Sequence, residues 1–368
     1  MFHKVLISVM AVFALLGGID RILGNRFGLG PRFEEGILSM GTLALAMIGI
    51  VCLAPVLAGL LRPIVVPVYR FLGADPAMFA GSILACDMGG GALAQALAES
   101  PEAAGLGGVI TGSMLGATVV FTIPVAMGLL KPEDRPAMAK GILCGVIAIP
   151  AGVLAGGLTA GYPLGMVGRN LIPIVLIALL IALGLWRAEG AMVSAFTVFG
   201  KIVVAIVTLG LSAAIVEELT GFVLIPGLAP LSEGFETVGA IAIVLAGAFP
   251  LVAVLTKLLK VPLLKLGALL GINDTAAAGL VATLANSIAT FDTVKDMDPR
   301  GKVVNIAFAV PAAFVFGDHL GFTAGFAPEL LGAMIVGKLV GGIAAVAIAL
   351  WMTKKASPGG SCQGNCPD

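Results

Sequence analysis

Charge is what this chain lacks most. Of its 368 residues only 11% are charged, 59% are hydrophobic, and the mean hydropathy is +1.10. Soluble domains carry about 25% charged residues, and no polar stretch here is long enough to form a separate soluble domain. Formal net charge is +0, which excludes the basic footprint of a nucleic-acid binder. No glycine-rich phosphate loop ending in Lys-Ser/Thr occurs, so an ATP-driven machine is unsupported. Only two histidines are present, His3 and His319, and no HExxH pattern. No Ser–His–Asp or His/Cys constellation lies at membrane depth, which leaves a membrane-embedded enzyme or a sensor subunit as distant alternatives. Neither a cofactor nor a metal is expected.

Cysteine is scarce as well. Cys52, Cys86 and Cys144 lie in apolar segments, where a buried reduced thiol is the plain reading. Cys362 and Cys366 sit in the terminal SPGGSCQGNCPD. Their spacing could hold a metal or close a small loop, but without a nearby histidine a disordered tail is the simpler expectation.

What the chain does have is long apolar runs and 51 glycines. Runs near the ~20 residues that a spanning helix needs occur at 4–23, 36–61, 77–98, 105–130, 137–160, 169–186, 201–219, 237–257, 275–291, 303–320 and 330–352. Pieces at 63–72 and 261–270 are too short to span and read as interfacial or re-entrant helices. Small residues at this density serve close helix packing in lipid. The fold class is therefore an all-α polytopic membrane protein with 9–11 spanning helices.

The runs repeat. Lys4-Val5-Leu6-Ile7 parallels Lys201-Ile202-Val203-Val204, Glu35-Gly36 parallels Glu233-Gly234, and Gly73-Ala74-Asp75 parallels Gly271-Ile272-Asn273. Ala137-Met138 with Gly141 parallels Ala333-Met334 with Gly337, and the offset stays between 196 and 198 residues. This predicts two related halves, 1–165 and 193–355, flanking a linker helix at 166–192, with a flexible tail at 356–368. Because the first run has a partner deep in the chain, it reads as a mature helix rather than a secretory signal. Repeats of this kind place substrate near the bilayer midplane between the halves. Runs 77–98 and 275–291 are the candidates for re-entrant hairpins. Eleven crossings imply parallel repeats; nine, with both hairpins re-entrant, imply inverted ones.

Asp87 is the first candidate site residue. It is the only charge in the run 77–98 and is followed by Gly89-Gly90-Gly91. A carboxylate at membrane depth is costly and usually lines a polar path, while consecutive glycines weaken a helix and admit another group to its backbone. The plainer alternative is a cap or an interhelical hydrogen bond. The corresponding run offers Asn286 and Ser287, one position beyond the column of Asp87. A carboxylate facing an amide suits a small cation with hydroxyl or amine donors; interhelical hydrogen bonding is the alternative.

Asp318-His319 closes another run and can serve as a proton relay or simply as a solvated helix end. Asn305 lies on that same run. Glu35 opens the second helix, where a carboxylate also complements the helix dipole. Phe79 and Phe121, with Phe291 and Phe316, could wall an amine by cation–π contact, or face lipid. Gln95, with Ser113, Thr118 and Thr122, suits a lined pathway as well as packing.

Four blocks carry a family resemblance: Phe33-Glu34-Glu35-Gly36, Ala85-Cys86-Asp87-Met88-Gly89-Gly90, Ala285-Asn286-Ser287-Ile288-Ala289-Thr290 and Gly317-Asp318-His319-Leu320. In this order they closely resemble the bacterial ethanolamine utilisation permease family, from about residue 20 to 350. The resemblance implies a multi-pass carrier of the bacterial inner membrane that takes up ethanolamine. Its partners are then ethanolamine and the lipid bilayer, with a homo-oligomer left open. The residues agree with that implication. Ethanolamine is mainly an ammonium ion at neutral pH, so a buried carboxylate can neutralise it, an amide or hydroxyl can take its OH, and phenyl faces can cover its methylenes. A proton-coupled carrier of another small amine or polar metabolite is the alternative. Either passive movement of the cation or exchange with protons is expected, without ATP.

Overall fold

The computed structural model describes residues 2–353. The tail cysteines Cys362 and Cys366 lie outside the described residues. Within them the chain is helical with no strand. The helices are α1 (Phe2–Ile22), α2 (Gly30–Phe71), α3 (Ala77–Ile83), α4 (Gly91–Leu97), α5 (Pro101–Leu129), α6 (Arg135–Thr159), α7 (Leu164–Ala188) and α8 (Gly190–Thr220). They continue as α9 (Leu231–Leu270), α10 (Asp274–Ala285), α11 (Ser287–Thr293), α12 (Pro299–Ala312), α13 (Asp318–Phe326) and α14 (Leu331–Met352). Eight of them, α1, α2, α5 to α9 and α14, are long and apolar enough to cross a membrane. The chain is an all-α polytopic membrane protein.

Two expectations change in detail. The short pieces 63–72 and 261–270 are not separate helices. They continue α2 and α9 past the prolines at 63 and 262, because a proline costs one backbone bond and bends a helix without ending it when neighbours hold the next turn. The run 303–320 is not one helix. It breaks between Ala312 and Asp318, where Phe314 adopts φ +63.

Residues 77–97 double back. Leu84 and Ala85 are extended and Gly89 has φ +90, so helix α3 stops, turns and returns as α4. The two ends meet at Asp75. Its Oδ1 accepts from Ala77 N at 2.8 Å and its Oδ2 accepts from Glu99 N at 3.1 Å. Asp75 lies outside the spans, and partial burial lifts its carboxyl above the ordinary value.

Helices α10 and α11 form a second hairpin with its turn at Asn286. Its ends meet at Asn273, whose backbone N donates to Asp298 Oδ1 (2.8 Å) and whose Nδ2 donates to Asp296 O (3.0 Å). Each hairpin leads into a helix capped in the same way. Ser100 accepts from Ala103 N before Pro101, and Asp298 accepts from Gly301 N before Pro299.

The hairpins enter from opposite ends of the molecule. The base of the first adjoins the start of α5. The far end of α5 leads to Asp134, whose carboxylate pairs with Lys302 on α12, beside the base of the second. Packing along α5 is backbone on backbone: a Cβ at Gly81 would meet the Gly107 carbonyl, and one at Gly112 would meet Cys86. Helices α6 and α14 meet through Gly152, Gly156, Gly337 and Gly341. Without a hydrophobic drive between helices in lipid, this closeness supplies the packing. Helix α5 is the most enclosed of the eight, whereas α7 and α8 expose Leu180, Trp186 and Leu209 as a lipid-facing surface would.

The doubled bonding at Asp75 yields a stability prediction. Asp75→Ala leaves the amides of Ala77 and Glu99 without acceptors. Water can reach the exposed Glu99 amide, so each lost bond costs about 0.5–1.5 kcal/mol, and the variant should melt a few degrees lower in detergent. An unchanged melting temperature would remove Asp75 as the clasp of the hairpin.

Candidate functional site

The turn of the first hairpin carries Asp87 into a cavity of about 230 Å³. Four parts of the chain build it: α2 through Thr42 and Ala46, the hairpin turn through Ala85, Asp87 and Met88, α5 through Ala117 and Phe121, and the break before α13 through Phe314, Asp318 and His319. The side chain of Asp87 is 13% exposed, so its carboxylate is nearly enclosed yet reachable from the cavity. His319 Nε2 stands 3.7 Å from Asp87 Oδ1, beyond hydrogen-bond range. His319 Nδ1 is buried without a partner.

Aromatic faces close one wall. Phe121 and Phe314 meet edge to face with centroids 5.2 Å apart, and Phe314 lies 5.4 Å from the His319 ring. A bulky residue at positive φ is a strained one. Phe314 is held there by the second hairpin: its N donates to Thr283 O (3.2 Å), and Phe316 N donates to Leu284 O (2.8 Å). The end of α10 thus supports the segment that places Phe314, Asp318 and His319. Opposite, the Thr42 hydroxyl donates to Ser39 O at 2.8 Å and keeps its lone pairs for a ligand. Helix α5 beneath the hairpin is π-helical over Gly105–Gly116 and Thr118–Thr122, a widening frequent at functional sites.

Two carboxylates, two phenyl rings and the Thr42 hydroxyl line the cavity, and no arginine or lysine is among its lining residues. Cys86 Sγ, an Asp87 oxygen and a His319 ring nitrogen lie within 4.8 Å of one another. These three are suitable donors for a transition ion, but a fourth protein ligand is wanting among the described residues.

Of the sequence-derived candidates, Asp87, Phe121, Asp318 and His319 meet in this cavity. The others lie elsewhere. Gln95 lines a second, wider opening of about 420 Å³ at the base of the first hairpin, with Glu99, Glu329 and Tyr162. There burial, aided by the charges of Glu329 and Glu102, pushes the Tyr162 phenol up to about 12, so it remains a hydrogen-bond donor. Phe79 packs edge-on against Tyr69 (6.2 Å). Asn286 is exposed at the second turn, where its Oδ1 accepts from Ile288 N and caps α11. Ser287 is buried with its hydroxyl unpartnered. Asn305 is buried and ties α12 to α10 by donating to Ala276 O (2.9 Å). Glu35 is exposed and paired with Arg32 at 2.6 Å.

Sequence reasoning does not find Thr42, Met88 or Phe314, which carry no signal in an apolar run. It also passes over Lys338, although a charge inside the run 330–352 is the same signal that singles out Asp87. Lys338 is fully buried on α14.

Residues 2–352 match the family described as "Ethanolamine utilisation protein, EutH". The chain belongs to this family. It is 58% identical over 353 residues to a protein of Listeria monocytogenes named "Probable ethanolamine permease EutH", covering 96% of this chain and 95% of that one. A Bacillus subtilis protein, "Uncharacterized protein YxeR", is 52% identical over 95% of both chains. An Escherichia coli protein, again "Probable ethanolamine permease EutH", is 45% identical over 96% of both. No solved structure matches. Membership of this bacterial family, together with eight helices of spanning length, makes the chain a multi-pass protein of the bacterial inner membrane.

Proposed function

We propose that this protein is a membrane carrier, not an enzyme, and that it takes up ethanolamine as its ammonium ion in the cavity at the first hairpin turn. The observation that carries the reading is the meeting of Asp87 and Asp318 with the rings of Phe121 and Phe314 around about 230 Å³. Drug-sized ligands occupy pockets of roughly 300–1,000 Å³, so this cavity suits a molecule of a few heavy atoms. The ammonium lies between the carboxylates, the methylenes lie on the phenyl faces, and the hydroxyl reaches Thr42. The names of the relatives point to the same substrate.

The two hairpins, entering from opposite ends and preceding helices with matching caps at Ser100-Pro101 and Asp298-Pro299, support reading the halves 1–165 and 193–355 as inverted repeats about the linker α7. In such carriers the broken elements line the substrate path while backbone left unpaired by the breaks faces the cavity. Coupling to protons through Asp318 and His319 is the second reading, favoured by the unpartnered His319 Nδ1.

Uptake into proteoliposomes tests the substrate. Saturable ethanolamine entry is expected. Ethylamine, lacking the hydroxyl, should compete more weakly, and ethylene glycol, lacking the charge, should not compete. Phe314→Ala should weaken binding about thirtyfold, since a desolvated cation–π contact contributes about 2 kcal/mol. Competition by ethylene glycol equal to that by ethylamine would refute charge recognition.

A further inference from the structure

Among the described residues, Lys338 is the one buried cation near the site that substrate recognition leaves unused. It is 0% exposed in the middle of α14. Its Nζ donates to the Ser113 carbonyl on α5. The turn of the first hairpin is directly adjacent: a Cβ on Gly112, the residue before Ser113, would touch Cys86 at 3.1–3.4 Å. His319 Nε2 of α13 lies 3.7 Å from Asp87 Oδ1, and Asp318 lines the same cavity. An ammonium in this position is expensive unless a carboxylate needs it. The pairing is also unsymmetrical. At the repeat offset of 196, Lys338 corresponds to the buried apolar Ile142, and the second hairpin has no charge at the depth of Asp87. Each half thus contributes one charge at this depth, of opposite sign.

We propose that Lys338 is a tethered cation that stands in for the substrate. With the cavity empty, its ammonium balances the Asp87 carboxylate. When a substrate ammonium arrives, it takes over that balance, and the lysine stays on the Ser113 carbonyl at the end of its flexible stem. The carboxylate is compensated both loaded and unloaded, so the empty site can return across the membrane. This rests on the reading of Asp87 as the anion that holds the substrate.

Proteoliposomes carrying Lys338→Met separate the two halves of the cycle. Net uptake of labelled ethanolamine into empty vesicles needs the unloaded site to return; exchange of labelled for internal unlabelled ethanolamine does not. At mildly alkaline pH, where solvent protons do not replace the lysine, net uptake should fall on the order of a hundredfold, the cost of leaving one member of a buried pair uncompensated. Exchange should stay within about twofold of wild type, because the substrate itself supplies the balancing charge. Lys338→Arg should retain part of the net uptake. If the methionine variant does not fold, as judged by melting in detergent, Lys338→Gln carries the same expectation while keeping a donor for Ser113. Equal loss of both modes would make Lys338 a structural prop, and equal retention would make it silent; either overturns the proposal. Wild-type protein with neither saturable mode would instead refute the ethanolamine reading, and the proposal with it.

Discussion

Asp87→Asn is expected to cut ethanolamine uptake severely while leaving the protein folded in the membrane. The substitution keeps the shape of the side chain and removes its charge. In a nearly enclosed cavity that charge meets little competing solvent, and truncating one partner of a buried charge pair costs about 3–5 kcal/mol. Affinity should therefore fall on the order of a hundredfold to a thousandfold, by the equivalence of about 1.4 kcal/mol to a factor of ten. Asp318, which lines the same cavity, retains a weaker attraction and keeps the loss from being total. Binding to purified protein, with melting in detergent as the control for folding, checks this. A well-folded Asp87→Asn variant that transports normally would make Asp87 a structural residue.

Gly89→Ala should be nearly as damaging, for a geometric reason. Gly89 has φ +90, and a Cβ there would stand inside the side chain of Ile50 on α2. The left-handed conformation costs a residue with a Cβ about 1–2 kcal/mol, and overpacking adds about 1–3 kcal/mol. The chain can relieve both only by moving the turn, and the carboxylate two residues earlier moves with it. Uptake should collapse while the rest of the helices keep their packing. Ile50→Ala in the same chain removes the clash but not the backbone strain, so it should restore uptake only in part. Full uptake by Gly89→Ala alone would show that the turn tolerates a side chain, and that the position of Asp87 does not depend on it.

The residues differ in how far each could be read before the fold was known. Asp87 was legible because a charge in an apolar run has one physical explanation at a time: lipid forbids it unless the protein uses or satisfies it. Lys338 obeys that rule equally, and only its burial beside the hairpin turn ties it to Asp87. Gln95 and Asn286 carried a weaker form of the signal, polarity without charge. Polar groups of that kind also serve a helix end or a separate opening, as Asn286 does in capping α11 and Gln95 at the base of the hairpin. Phe314 carried none. Its role comes from a positive φ imposed by two backbone bonds to α10, and neither partner is near it in sequence.

Composition and run length alone determined the membrane class and the helical architecture, because lipid offers backbone groups no partner outside a helix or a closed barrel. Glycine placement and the constant repeat offset marked 77–98 and 275–291 as the segments to break. Tertiary structure alone decided that these segments double back from opposite ends. That outcome depends on Asp75 reaching Glu99 and on Asn273 reaching Asp296 and Asp298 across their own turns. It also decided which side chains share a cavity. Period and spacing define the face of a single helix, whereas a site assembled from α2, two turns and α5 depends on contacts between elements far apart in the chain.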